Sequence, residues 1–112
     1  VKSFNQDLSR WNVSNVTNMA NMFDGCESFN SDISGWDVSN VRDMCGMFCE
    51  SISFDQDISR WNVSNVTNMQ RMFYKASKFD QDISMWDVSN VTSTRDVFFD
   101  CPCTEEHQPK FK

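Results

Sequence analysis

The chain is poor in the residues that usually build linkers and active sites, with three Gly, two Pro, one His and one Tyr among 112 residues. So little Gly and Pro excludes a collagen-like chain and argues against disorder. With His107 as the single histidine, no Ser-His-Asp or Cys-His arrangement can form outside the C-terminal tail. No Gly-rich phosphate loop is present. No apolar run approaches the roughly 18 residues of a membrane-spanning helix, and the mean hydropathy is -0.54. Basic residues are scarce too: ten Lys and Arg face sixteen Asp and Glu, leaving a net charge of -6. Nucleic-acid binders draw affinity from phosphate neutralisation, so nucleic acid and anionic membrane surfaces are poor partners for this chain.

What is present is repetition. From Phe4 the chain runs in four units of 25 residues, starting at Phe4, Phe29, Phe54 and Phe79. Nine positions are identical in all four, represented in the first unit by Phe4, Asp7, Ser9, Trp11, Val13, Ser14, Asn15, Val16 and Phe23. A period of this length marks a stacked array in which each unit touches its neighbours. The repeat domain is read as residues 1–103, and 104–112 as a C-terminal tail.

Within a unit, Phe4, Gln6 and Leu8 alternate with Asn5, Asp7 and Ser9, which predicts a short strand. Met19, Met22, Phe23 and Cys26 fall at i, i+3, i+4 and i+7, which predicts two turns of helix capped by Thr17. Thr67 and Thr92 repeat that cap, and Arg42 breaks it. The expected fold class is therefore α/β: a leucine-rich-repeat-like solenoid of four coils, each with one short parallel strand and one short helix. Stacking would align Phe, Trp, Val and Met in continuous buried columns.

The unit F-[ND]-x-D-[IL]-S-x-W-[ND]-V-S-N-V-x-x-M-x-x-M-F resembles the BspA-like surface-protein repeat. It is similar to the type also called DUF285, or the Listeria–Mycoplasma lipoprotein repeat. The resemblance covers Phe4 to about Cys103 and implies a surface or extracellular repeat protein used in adhesion or in binding proteins or glycans. It implies no shared catalytic site. The fourth unit departs from the pattern, with Thr94 and Val97 in place of two Met and Cys-Pro-Cys following. The residues from Ser93 on are read as a cap or the edge of a longer array. With no initiator Met, signal sequence or capping segment before Phe4, the chain reads as a piece of a longer secreted protein.

The expected contact surface is the acidic column Asp7, Asp32, Asp57 and Asp82, flanked by Asp55 and Asp80 and by Ser34 and Ser59. Carboxylates about 5 Å apart repel by about 0.8 kcal/mol in water, so something must offset the charge. Amides of the following turn and a bound Ca²⁺ are the two candidates. A repeated row lacks the two differing environments that a carboxylate-pair glycosidase needs, so the chain reads as non-enzymatic. Asn15, Asn40, Asn65 and Asn90 form a second column, expected to bond backbone groups of its own turn and of the neighbouring coil. Among the sequons the repeat creates, Asn12 and Asn62 are the glycosylation candidates.

The five cysteines, Cys26, Cys45, Cys49, Cys101 and Cys103, are an odd set. Cys26 and Cys101 lie three coils apart, too far for a disulfide. Cys45 and Cys49 are spaced as one helical turn. Cys101-Pro-Cys103 with His107 offers three ligands, one short of a closed zinc site, so no metal site is assigned. The alternative to a binding surface is a spacer or filament segment that grows by end-to-end stacking.

Overall fold

The computed structural model describes residues 3–111. Its unit is built from turns. Three times in each of the first three units, and twice in the fourth, a short polar side chain accepts the amide two residues ahead, the Asx turn that Asp and Asn favour. Asp7 accepts from Ser9, Asn12 from Ser14 and Asn18 from Ala20, at 3.0, 3.0 and 2.8 Å. Asp57, Asn62 and Asn68 do the same in the third unit, at 2.9, 3.0 and 2.9 Å.

The α/β leucine-rich-repeat-like reading, with a strand and a helix in each coil, is overturned. Among the described residues the one helical element is the 3-10 turn Glu105–His107. Strand pairing is confined to the isolated parallel bridges Asn18–Asp43, Asp43–Asn68 and Asn68–Ser93. The two expected elements fail for different reasons.

The alternating segment Phe4–Ser9 forms no ladder because side chains take the place of its backbone partners. Asn5 Oδ1 accepts the Asn30 amide, Asn30 Oδ1 accepts the Asp55 amide, and Asp55 Oδ1 accepts the Asp80 amide, at 3.1, 2.9 and 3.2 Å. Gln56 and Gln81 Nε2 reach back to the carbonyls of Asn30 and Asp55 at 2.9 and 3.2 Å. Neighbouring segments are thus joined mainly through amide and carboxylate groups.

The Met/Phe stripe forms no helix because its backbone donors are spent on the next unit. The amides of Met19, Asn21, Phe23 and Gly25 donate to the carbonyls of Asp43, Cys45, Met47 and Cys49 at 2.8–2.9 Å. The amides between them, at Met22, Asp24 and Cys26, close tight turns to the residue three back. Two positions per unit carry positive φ: Asn21, Gly46, Arg71 and Asp96, then Gly25, Glu50, Lys75 and Asp100, at 55–72°. A left-handed residue every few positions breaks a right-handed helix. A chain of three-residue turns still sends i, i+3 and i+4 to one side, which is why the stripe looked helical. The hydroxyls of Thr67 and Thr92, read as caps, instead donate to the carbonyls of Arg42 and Thr67 at 3.2 Å.

The units stack in register on aromatic columns. Phe29, Phe54 and Phe79 succeed one another at 5.8 and 5.9 Å, and Trp36, Trp61 and Trp86 at 6.4 Å with planes 1–4° apart. Each indole N–H donates back to the previous unit, from Trp36 to Leu8, Trp61 to Ile33 and Trp86 to Ile58, at 2.9, 3.0 and 3.1 Å. Asn40, Asn65 and Asn90 Nδ2 reach the carbonyls of Ser14, Ser39 and Ser64 at 2.7–2.8 Å. No buried side-chain N or O among the described residues lacks a partner. Residues after Cys103 fold over the last unit: Ile83 N–H donates to the His107 carbonyl at 2.9 Å, and Phe111 packs on the core.

Candidate functional site

The acidic side is organised by turn chemistry. Asp7, Asp32, Asp57 and Asp82 are exposed, and each uses Oδ1 to accept the amide of Ser9, Ser34, Ser59 or Ser84 at 2.9–3.0 Å. The serine hydroxyls, then these amides, hold all four carboxyls below the usual value of 3.8. Asp7 works weakly against this at Asp32, as like charge raises it. Neutral pH therefore leaves a row of ionised groups with fixed orientation.

Asp32, Ser34 and Asp57 come together with Gln56 and Arg60 around a polar recess of about 250 Å³. Ser59 does not line it and is tied to the group only by its amide, which donates to Asp57 at 2.9 Å. Asp55 and Asp80 do not join this group. Asp55 Oδ1 accepts from Asp80 N–H and Gln81 Nε2 at 3.2 and 2.9 Å. Asp80 Oδ1 meets His107 Nδ1 and Thr104 N–H at 2.9 and 3.2 Å. The His107 contact, then the Thr104 amide, lowers Asp80, and the same contact raises His107 above 6.5. These two aspartates fasten the next layer. Both sequon candidates, Asn12 and Asn62, are exposed, and each has Oδ1 in an Asx turn to Ser14 or Ser64 at 3.0 Å.

The tail trio does not converge. Cys101 Sγ bonds the Phe79 carbonyl at 3.4 Å and Cys103 Sγ the Gln81 carbonyl at 3.8 Å. Burial pushes these thiols up to about 11 and about 12, so they stay protonated. The helical spacing expected for Cys45 and Cys49 does not exist, since that segment is a run of turns. Cys49 lies instead with Asp24 and Glu50, their ligand atoms all within 4.8 Å of one another. Burial, then the two carboxylates, raises its thiol to about 11. Aligning the units places Asp24 and Cys49 at one repeat position with Glu50 beside them, a signal the helical reading hid.

The edge holding positions 20–25 of the first unit changes character along the stack. At the place of Asp24 and Cys49 the later units carry Tyr74 and Phe99, whose rings stack at 5.3 Å. Arg71 and Lys75 lie over the Tyr74 ring at 4.1 and 5.3 Å. Reading each unit for its shared residues passed over this unshared set.

No helix of the described residues is long and apolar enough to cross a membrane. No curated protein and no solved structure matches the chain. A family model described as "Mycoplasma protein of unknown function, DUF285" matches residues 1–111, and the chain belongs to that family.

Proposed function

We propose that the chain is a non-enzymatic module of a cell-surface or extracellular protein, serving adhesion or the binding of a protein or glycan through its acidic side. The observation that carries this reading is the row Asp7, Asp32, Asp57 and Asp82, each pinned by a serine amide at 2.9–3.0 Å. Pinning removes much of the side-chain entropy that a binding surface otherwise loses on contact. The recess between Asp32 and Asp57 offers carboxylate, hydroxyl and amide oxygens, the ligand types a hard cation takes. A calcium ion bridging to a glycan and a cationic protein segment are the two ligand forms it suits.

Replacing Asp32 and Asp57 together by Asn keeps the turn acceptor and removes the charge. The double variant should lose partner capture from an extracellular-matrix panel and retain the parent melting temperature. Capture undiminished by the variant moves the contact elsewhere. A melt with Ca²⁺ at a hundredfold excess over Kd should gain about 2.7 kcal/mol over one in EDTA. Identical melts assign the row to charged partners without calcium.

A second reading, end-to-end stacking, is favoured by one feature. The face of the first unit turned away from the second exposes an apolar recess of about 240 Å³ lined by Phe4, Leu8, Trp11, Met22, Phe23 and Cys26. Trp11 is 55% exposed, against 4–6% for Trp36, Trp61 and Trp86. Sedimentation that shows assembly growing with concentration supports it; a strict monomer removes it.

A further inference from the structure

In a stacked repeat the shared positions serve the stack, so residues that break the repeat while staying exposed are free to serve a ligand. The 71–75 and 95–99 edge breaks it most. Asn21 and Gly46 give way to Arg71, Gly25 and Glu50 to Lys75, and Asp24 and Cys49 to Tyr74 and Phe99. The two cations sit over the Tyr74 ring at 4.1 and 5.3 Å, and Phe99 stacks with it at 5.3 Å. Phe99 itself is 52% exposed. Arg71 also lines a recess of about 290 Å³ with Gln70, Arg95 and Asp96. The Arg95 side chain is 83% exposed and makes only a loose 3.9 Å contact with Asp96. A chain of net charge -6 thus gathers three cations, an open aromatic ring and a polar recess on one edge.

We propose that this edge binds an acidic saccharide, a pyranose bearing a carboxylate. Arg71 and Arg95 present guanidinium forks that fit a carboxylate. Phe99 offers an apolar ring face to the C–H groups of a sugar ring. Gln70 and Asp96 supply the acceptors that sugar hydroxyls need, because a carboxylate can only accept. An acidic peptide of Asp and Glu has backbone N–H donors but no C–H ring face to lay against Phe99. The recess volume lies at the small end of ligand sites, which run from about 300 Å³ upward, and suits one or two sugar rings. This edge is separate from the Asp32–Asp57 recess, so either site can fail without the other.

The test is calorimetric titration of the whole chain with three probes: a galacturonic acid hexasaccharide, its methyl ester and hexaglutamate. The acid sugar should bind at least tenfold tighter than either control. Arg71→Asn installs the residue of the first unit, Asn21, at the same backbone position, and Phe99→Ala removes an exposed ring. Each should weaken the acid sugar at least tenfold, while the Asp32→Asn, Asp57→Asn pair leaves it within twofold. Equal binding of the ester shows that charge is not read, and equal binding of hexaglutamate makes the edge an acidic-peptide site. Either result overturns the proposal, as does an absence of binding or indifference to both substitutions.

Discussion

Aspartate does two jobs in this molecule, and the difference is what its Oδ1 accepts. Asp57 takes the amide two residues ahead in its own unit, whereas Asp55 takes the Asp80 amide of the next one. Asp57→Asn keeps the acceptor and should leave stability within about 0.5 kcal/mol, while Asp57→Ala should cost about 1 kcal/mol in urea unfolding, the net worth of one hydrogen bond. The tryptophans divide in the same way. Trp61 is buried and bonds the Ile33 carbonyl at 3.0 Å, so Trp61→Phe should cost roughly 2 kcal/mol through one lost hydrogen bond and lost volume, while the Trp36 amide still bonds that carbonyl at 3.1 Å. Trp11 is exposed, and Trp11→Phe should fall within about 0.5 kcal/mol on the same curves. The buried Trp column was legible for Trp36, Trp61 and Trp86 from its phase with Phe and Val, whereas Trp11, expected in the same buried column, lies exposed. Which aspartate closes its own turn and which binds the next unit was not, because both lie at alternating polar positions two residues apart.

At the scale of the element, the segment from Met19 to Cys26 decides the backbone. Glu50 and Gly46 carry φ of 55° and 64°. Glycine enters that region without the penalty a Cβ brings, at some entropic cost. Glu50→Gly should therefore stabilise the fold by about 0.5 kcal/mol. Gly46→Val should destabilise it by roughly 2 kcal/mol, since a branched side chain is strained at positive φ, while the exposed Asn21 side chain can turn aside from the new Cβ. Chemical denaturation of both variants checks the pair, and a neutral Gly46→Val would remove the left-handed account. Periodicity read this segment as helix because it records which side chains face inward, and tight turns satisfy the same spacing. Among the described residues, six non-glycine residues at positive φ, including Arg71 and Lys75, gave no compositional warning.

At the scale of the whole molecule, two titrations act at opposite ends of the pH range. Asp32 and Asp57 lie below 3.8 in the folded chain, held there by the hydroxyls and then the amides of Ser34 and Ser59. The unfolded chain binds more protons in that range, so their stabilisation is present above 3.8 and is lost as pH falls through the lowered values. His107 is raised above 6.5 by its hydrogen bond to Asp80. Its stabilisation is full below 6.5 and is lost as pH rises through the raised value. An NMR titration should place His107 above 6.5 and return it towards 6.5 in Asp80→Asn; an unchanged value would detach the tail from Asp80. The sequence by itself determined the period, the register of the stack and the identity of its core columns, because a repeated side chain must meet its own copy in the next layer. Only the tertiary structure decided how each backbone amide is satisfied. That choice depends on whether a carbonyl of the next layer or an Asn or Asp side chain comes within hydrogen-bond reach, and side-chain periodicity carries no record of it. The same limit hid the Arg71–Tyr74–Phe99 edge, which exists only where two adjacent layers bring unshared residues together.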